Sequence, residues 1–382
     1  MASPIPFRVV CPPQLLSTLK DRLQNARFPE NSLANPVGGG ETWEYGMPNR
    51  VAQALVNYWL NEYDWPAWET RLNEFKHYKL DIDVPVKKVD DDPRGHGSVS
   101  VHFIHEPSPR PDAIPILLLH GWPGSFFEFV HLIQPLTHPP SPTDPAFHVV
   151  IPSLIGFGFS SAAPVRDFGV FQMAQVFNKL MNTIGYSSYL SHGTDWGNVI
   201  SKSLAMQFPN SCRGIHLNVL TFSKPPDEAK VEPPTNEELA LMEKWAKNSE
   251  DFRGYSHIQA TRPQTLGFAV SDSPIGLMAW IGEKFHEWVD LRDGDGDFSP
   301  TISIEHFITN VMIYYISNSI ASSFRIYHYH MHRKLDAELY TTKITVPVGC
   351  AVFPREVVPP CKSWAKYWCP NLVQWTIFER GG

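Results

Sequence analysis

The sequence predicts one elaborated α/β domain, a mostly parallel, doubly wound sheet interrupted by a helical insertion. Three observations point there. Apolar or alternating runs at Val99 to His105, Ile114 to His120, Phe147 to Pro152 and Ser187 to Ser191 read as strands. Helical patterns lie between them, at Val170 to Ile184 and Val199 to Gln207, and such alternation implies parallel strands joined by helical crossovers. The rhythm stops near residue 222 and resumes at Ile344 to Val352.

In chain order, residues 1–98 come first. Pro12 to Leu23 predicts a helix, with prolines at its start and Leu15, Leu16, Leu19 and Leu23 on one face. Phe28-Pro29 breaks it, a Gly38-Gly39-Gly40 loop follows, and Asn49 to Glu62 predicts a second helix with Val51, Leu55, Tyr58 and Trp59 as its apolar stripe. With no sheet of their own, these elements read as a meander wrapped on the main body. Residues 99–221 form the first part of the core, where the continuous run Ile114 to His120 suits a strand covered on both faces. Residues 222–335 hold the acidic, proline-containing stretch Lys224 to Glu243 and the helical patterns Pro274 to Val289 and Ile304 to Ile320, without strand alternation. They read as a helical lid. Residues 336–382 close the sheet with strands at Ile344 to Val352 and Leu372 to Phe378.

Composition excludes several classes of function. At 382 residues and 43% hydrophobic content the chain can bury a large core. A net charge of -7 without any basic run argues against nucleic acid as a partner. The five scattered cysteines, without CxxC spacing, suit a reducing compartment. Neither a signal peptide nor a bilayer-long apolar run is recognisable, so a cytoplasmic protein without a transmembrane segment is expected. The 12 Trp and 23 Phe either line an apolar substrate cavity or simply fill a large aromatic core. Asp293-Gly294-Asp295-Gly296-Asp297 lacks the glycine at the sixth position and the glutamate at the twelfth of a calcium loop, and reads as a solvated turn. No metal or cofactor is expected.

The chemistry concentrates after the strands. Tyr189-Leu190-Ser191-His192-Gly193-Thr194-Asp195-Trp196-Gly197-Asn198 has the small-x-nucleophile-x-small spacing of a nucleophile elbow, with Asp195 in place of serine. A carboxylate is ionised at neutral pH without help, so at that apex it can displace at carbon and leave an ester; epoxides and alkyl halides are suitable targets. An aspartate capping the following helix is the plainer alternative. Two upstream turns matter here, Gly156 to Ser160 and His120-Gly121-Trp122-Pro123-Gly124. The second stands where an α/β-hydrolase loop supplies an oxyanion-hole N–H, and it favours the nucleophile. The backbone N–H groups of Trp122 and Trp196 are then the expected oxyanion hole.

Almost the whole chain resembles the microsomal-type epoxide hydrolases, a group that includes fungal soluble enzymes and insect juvenile hormone epoxide hydrolases. The resemblance rests on the N-terminal stretch Pro29 to Phe75, on His120 to Ser125, on the Asp195 elbow, on Gly254 to Thr265, and on Asp272 to Leu277 with Trp280 to Phe285. It implies an α/β-hydrolase core, an N-terminal meander and a helical lid whose tyrosines hold and protonate the epoxide oxygen. Tyr255 matches the first of these and Tyr327 the second, with Tyr329 as the neighbouring alternative. Glu356, in Phe353-Pro354-Arg355-Glu356, matches the acid that orients the catalytic histidine.

The family's histidine follows a Gly-Gly pair, and the sequence ends on such a pair, Gly381-Gly382. The resemblance therefore implies a chain truncated before its base, which alkylates Asp195 and then stalls, since losing a general base costs about 10²- to 10⁴-fold. The expected function is opening of an apolar epoxide to a vicinal diol through an Asp195 ester. The alternatives are an epoxide-opening cyclase, a non-turning-over binding protein and a haloalkane dehalogenase. Expected partners are a small apolar epoxide, water and a second copy of the chain in a homodimer.

Overall fold

The computed structural model describes residues 3–29, 42–85, 96–165, 168–294, 296–332, 337–356 and 358–381. The Gly38-Gly39-Gly40 loop lies outside the described residues. Among the described residues nine strands form one sheet: β1 (Ile5–Pro6), β2 (His77–Pro85), β3 (His96–Glu106), β4 (Ile114–Leu119), β5 (Phe147–Pro152), β6 (Tyr189–Gly193), β7 (Cys212–Leu217), β8 (Val348–Val352) and β9 (Leu372–Ile377). Their order is β1-β2-β3-β5-β4-β6-β7-β8-β9. The pairs from β1 to β5 are antiparallel and the rest parallel. Leu117, Leu118 and Leu119 of β4 are fully buried, as a central strand between two helical layers requires.

The first 98 residues depart from expectation. Helices α1 (Pro13–Gln24) and α2 (Asn49–Asn61) form as predicted, and α3 (Trp65–Leu72) follows, capped by the Asp64 carboxylate accepting from Ala67 N at 3.1 Å. This segment is not strandless, however. It gives β1 and β2 to the main sheet, and β2 pairs with β3 from His77↔Ile104 to Pro85↔His96. The reason is visible in Leu80, Ile82 and Val84, all buried and alternating with Lys79, Asp81 and Asp83. That period-two pattern suits one covered face of a sheet.

Helices α4 (Val130–Thr137), α5 (Val170–Thr183) and α6 (Asp195–Gln207) belong to the core, with α5 packed on β2 and α6 on β4, β6 and β7. The helical insertion between β7 and β8, labelled the lid for brevity, holds α7 (Asn236–Phe252), α8 (Gly254–Thr261), α9 (Pro263–Asp272), α10 (Pro274–Glu287), α11 (Ile304–Ser317), α12 (Ile320–Ser323) and α13 (Arg325–His332). Short α14 (Glu338–Thr341) and α15 (Lys362–Trp368) flank β8. Among the described residues no helix is long and apolar enough to cross a membrane. All five cysteines are buried and unpaired.

The N-terminal segment clasps the lid. Arg22 donates to the Asp272 carboxylate at 2.7 Å, Trp68 Nε1 to Glu305 at 2.7 Å, and the Tyr63 hydroxyl meets Thr309 at 2.9 Å. Asp297, read from sequence as part of a solvated turn, instead accepts from Trp43 Nε1 at 3.0 Å and from Arg50 at 2.8 Å. Its turn-mate Asp293 pairs with Arg380 at 2.6 Å, while Asp295 lies outside the described residues. These acids are drawn into place by cations far away in sequence. Exposed pairs of this kind add little stability singly, so the clasp depends on the tryptophan donors and on packing.

Candidate active site

The elbow begins with a chain reversal that most residues avoid. Asp195 has φ of +46°, in the left-handed region, which costs about 1–3 kcal/mol for a residue with a side chain. Close packing holds it there: a Cβ on Gly197 would lie 1.8 Å from the Leu119 carbonyl oxygen, so only glycine lets α6 start this near β4. Thr194, not Asp195, is the N-cap of α6. Its hydroxyl turns away from the helix and donates to Glu128 at 2.6 Å. The helix-cap alternative for Asp195 thus has no support in the geometry.

The loop after β4 supplies the other wall. Trp122 N donates to Asp195 Oδ1 at 2.7 Å, and the Trp196 N–H also bonds the carboxylate. A Cβ on Gly121 would fall 2.1 Å from Asp195 Oδ1, so the loop backbone touches the carboxylate directly. The loop is itself pinned to the lid, because Asn310 Nδ2 donates to the Pro123 carbonyl at 2.8 Å and the Tyr314 hydroxyl to the Gly124 carbonyl at 2.7 Å. The Trp122-Pro123 peptide is cis. Burial pushes the Asp195 carboxyl up to about 6, and the two N–H groups oppose that shift. It is therefore mainly a carboxylate at pH 7. Asp195 and Glu128 both keep exposed surface although protein closes around them tightly enough to disfavour their charge.

Aromatic rings crowd Asp195. Tyr255, at the start of α8, stacks on Trp122 with centroids 5.2 Å apart and planes 8° from parallel. Tyr327, from α13, stands edge-on to Trp196 at 4.9 Å and to Tyr255 at 5.7 Å. Burial raises the pKa of both phenols and the Asp195 charge adds to that, which places both close to the carboxylate. The Tyr327 hydroxyl lies beside Tyr255 and the Trp196 indole, yet finds no well-formed hydrogen bond among the described residues. A buried donor in that state costs about 1–3 kcal/mol, and a ligand oxygen would recover it. Tyr329 points elsewhere, donating to the Val165 carbonyl at 3.1 Å.

Two further carboxyls face Asp195. Glu356 lies on the loop after β8, where Asn218 Nδ2 donates to it at 3.0 Å, and burial with the Asp195 charge pushes it up to about 8. Glu128 is likewise pushed up to about 8 by burial, helped by the Asp195 charge, with the Thr194 hydrogen bond opposing. The structure thus gathers Asp195, Trp122, Trp196, Tyr255 and Tyr327, and sets Glu356 within reach of the Asp195 field. Reading the sequence missed Glu128, Asn218, Tyr314 and the buried Lys284. A lone acid inside Ser125-Phe126-Phe127-Glu128-Phe129 was a legible signal for Glu128. Among the described residues no cluster of His, Cys, Asp or Glu has metal-binding geometry.

A mostly parallel sheet with a sharp strand-to-helix turn after β6 and a helical insertion between β7 and β8 is the architecture of an α/β hydrolase. Residues 114–254 match the alpha/beta hydrolase fold family, and residues 4–129 match the family described as epoxide hydrolase N terminus. Epoxide hydrolase 1 of Sus scrofa is 31% identical, over 99% of this chain and 84% of its own length. The structure of Aspergillus niger epoxide hydrolase shares 31% identity and a TM-score of 0.82, covering 100% of this chain and 91% of that one. Juvenile hormone epoxide hydrolase from the silkworm Bombyx mori shares 29% and 0.80, covering 100% and 89%. The chain belongs to the epoxide hydrolase family.

Proposed function

We propose that the chain opens apolar epoxides to vicinal diols, with Asp195 as the nucleophile. One observation carries this reading: the Asp195 carboxylate, bonded by Trp122 N at 2.7 Å on a left-handed elbow, has beside it two tyrosines of the helical insertion, Tyr327 buried and Tyr255 partly so. In the first step a carboxylate oxygen bonds to an epoxide carbon as the C–O bond breaks, and the oxygen takes a proton from Tyr255 or Tyr327. A neutral phenol is the right donor, since a developing alkoxide is far more basic than a phenolate. In the second step water adds to the ester carbonyl while the N–H groups of Trp122 and Trp196 receive the oxyanion charge; the acyl C–O bond then breaks to restore the carboxylate, and the two water protons end on the departing diol oxygen and on the phenolate left by the first step.

Glu356, which feels the Asp195 charge and is held by Asn218, is assigned to support this second step, and residues 222–335 to close over the substrate. The rings of Trp122, Trp196, Trp288 and Phe324 pack together beside the tyrosines, apolar surroundings suited to an aryl or alkyl epoxide. The test uses styrene oxide with protein in excess. The chain should consume the epoxide while Asp195→Ala does not; equal consumption by both overturns the assignment.

A further inference from the structure

We propose that Lys284 is a positioning residue for epoxide opening, its ammonium held against the face of the Tyr255 ring so that the phenol gives up its proton more readily. This rests on the reading of Tyr255 as the acid.

Lys284 lies on α10, in the Trp280 to Phe285 stretch, and is only 4% exposed. Its Nζ sits 4.7 Å from the Tyr255 ring centroid and 5.4 Å from that of Trp288. It is ion-paired with Glu287 at 3.0 Å and with Glu283. Burying an ammonium is costly, and pairing with partly exposed carboxylates alone does not require it to stand over an aromatic face. Trp122, stacked parallel on the same ring, fixes the phenol in place.

The charged and titratable groups around the phenol come from several elements. Asp195 on α6 and Glu287 on α10 hold its proton on, Arg253 beside α8 opposes them, and Tyr327 on α13 adjoins it. As the epoxide C–O bond breaks and the bond to Asp195 forms, the oxygen's electron pair takes the Tyr255 proton, and negative charge spreads from the phenol oxygen into the ring. A cation on the ring face favours that product more than the neutral ring, and Lys284 also offsets the Glu287 charge. The motif was visible in the sequence, but the contact between α10 and α8 was not.

The experiment follows ester formation on Asp195 by acid quench and mass spectrometry, with protein in excess over styrene oxide, from pH 6 to 10. Lys284→Met should slow it about tenfold, equivalent to roughly 1.4 kcal/mol, and Lys284→Arg should restore it to within about threefold. In a Tyr255→Phe background the Lys284→Met change should slow it no further, as two residues acting through one proton must behave. Equal slowing in both backgrounds, or none in either, overturns the proposal. A wild-type rate in Tyr255→Phe alone overturns instead the acid role on which it rests. Should Lys284→Met fail to fold, Glu287→Gln serves: faster ester formation supports the proposal and slower formation overturns it.

Discussion

Replacing Gly121 by alanine should disable Asp195 while leaving the fold intact. The new methyl would lie 2.1 Å from Asp195 Oδ1, 2.3 Å from its Cβ and 2.6 Å from its Cγ. Ordinary contact needs about 3.4 Å or more, so the carboxylate must retreat by more than about 1 Å. The bond from Trp122 N, now 2.7 Å, cannot survive that retreat. A hydrogen bond to a charged acceptor contributes about 1.5–3 kcal/mol, and about 1 Å of misplacement at a reacting group costs on the order of 10²-fold. Both point to ester formation slowed about 100-fold, with a stability loss of about 1–3 kcal/mol from the crowding. Mass spectrometry of acid-quenched protein, alongside thermal melts, reads both quantities. A variant that melts like wild type and forms ester within threefold of its rate would refute the contact between this loop and the carboxylate.

Three further outcomes are expected. Tyr255→Phe and Tyr327→Phe should each slow ester formation about 10²-fold, and Tyr329→Phe should not; a Tyr329 effect as large would displace Tyr327 from its role. Ester formation should fall below pH 6, because the Asp195 carboxyl, held up at about 6, loses its nucleophilic form on protonation; a rate constant flat to pH 5 would contradict this. Glu128→Gln should gain stability relative to wild type as pH rises. The Glu128 carboxyl is raised from 4.5 to about 8 on folding, so its contribution is fully present below 4.5 and is lost as pH climbs through 8. Glutamine stays neutral throughout, and urea midpoints at pH 6 and 8 that differ equally in both proteins would dismiss the coupling.

The strands and elbow were legible because their signals are local. An apolar run such as Ile114 to Leu119 and the glycines around Asp195 each state a requirement within a few residues. Strand β2 was equally local in Leu80, Ile82 and Val84, but its alternation was passed over because the surrounding helices suggested a wrapped meander. What sequence could not show is convergence. Tyr255, Tyr327 and Lys284 come from three lid helices, and Tyr327 parts from Tyr329 only because α13 turns one ring toward Trp196 and the other toward Val165. Likewise the pairing of Asp297 with Arg50 crosses from the lid to the N-terminal segment, so the acid read locally as solvated.

The most direct measurement is peptide mapping of the protein quenched in acid within milliseconds of mixing with styrene oxide. The account predicts one added epoxide mass on the peptide carrying Asp195, absent from Asp195→Ala. An adduct on any other residue, or epoxide consumed with no adduct at any time, would contradict it.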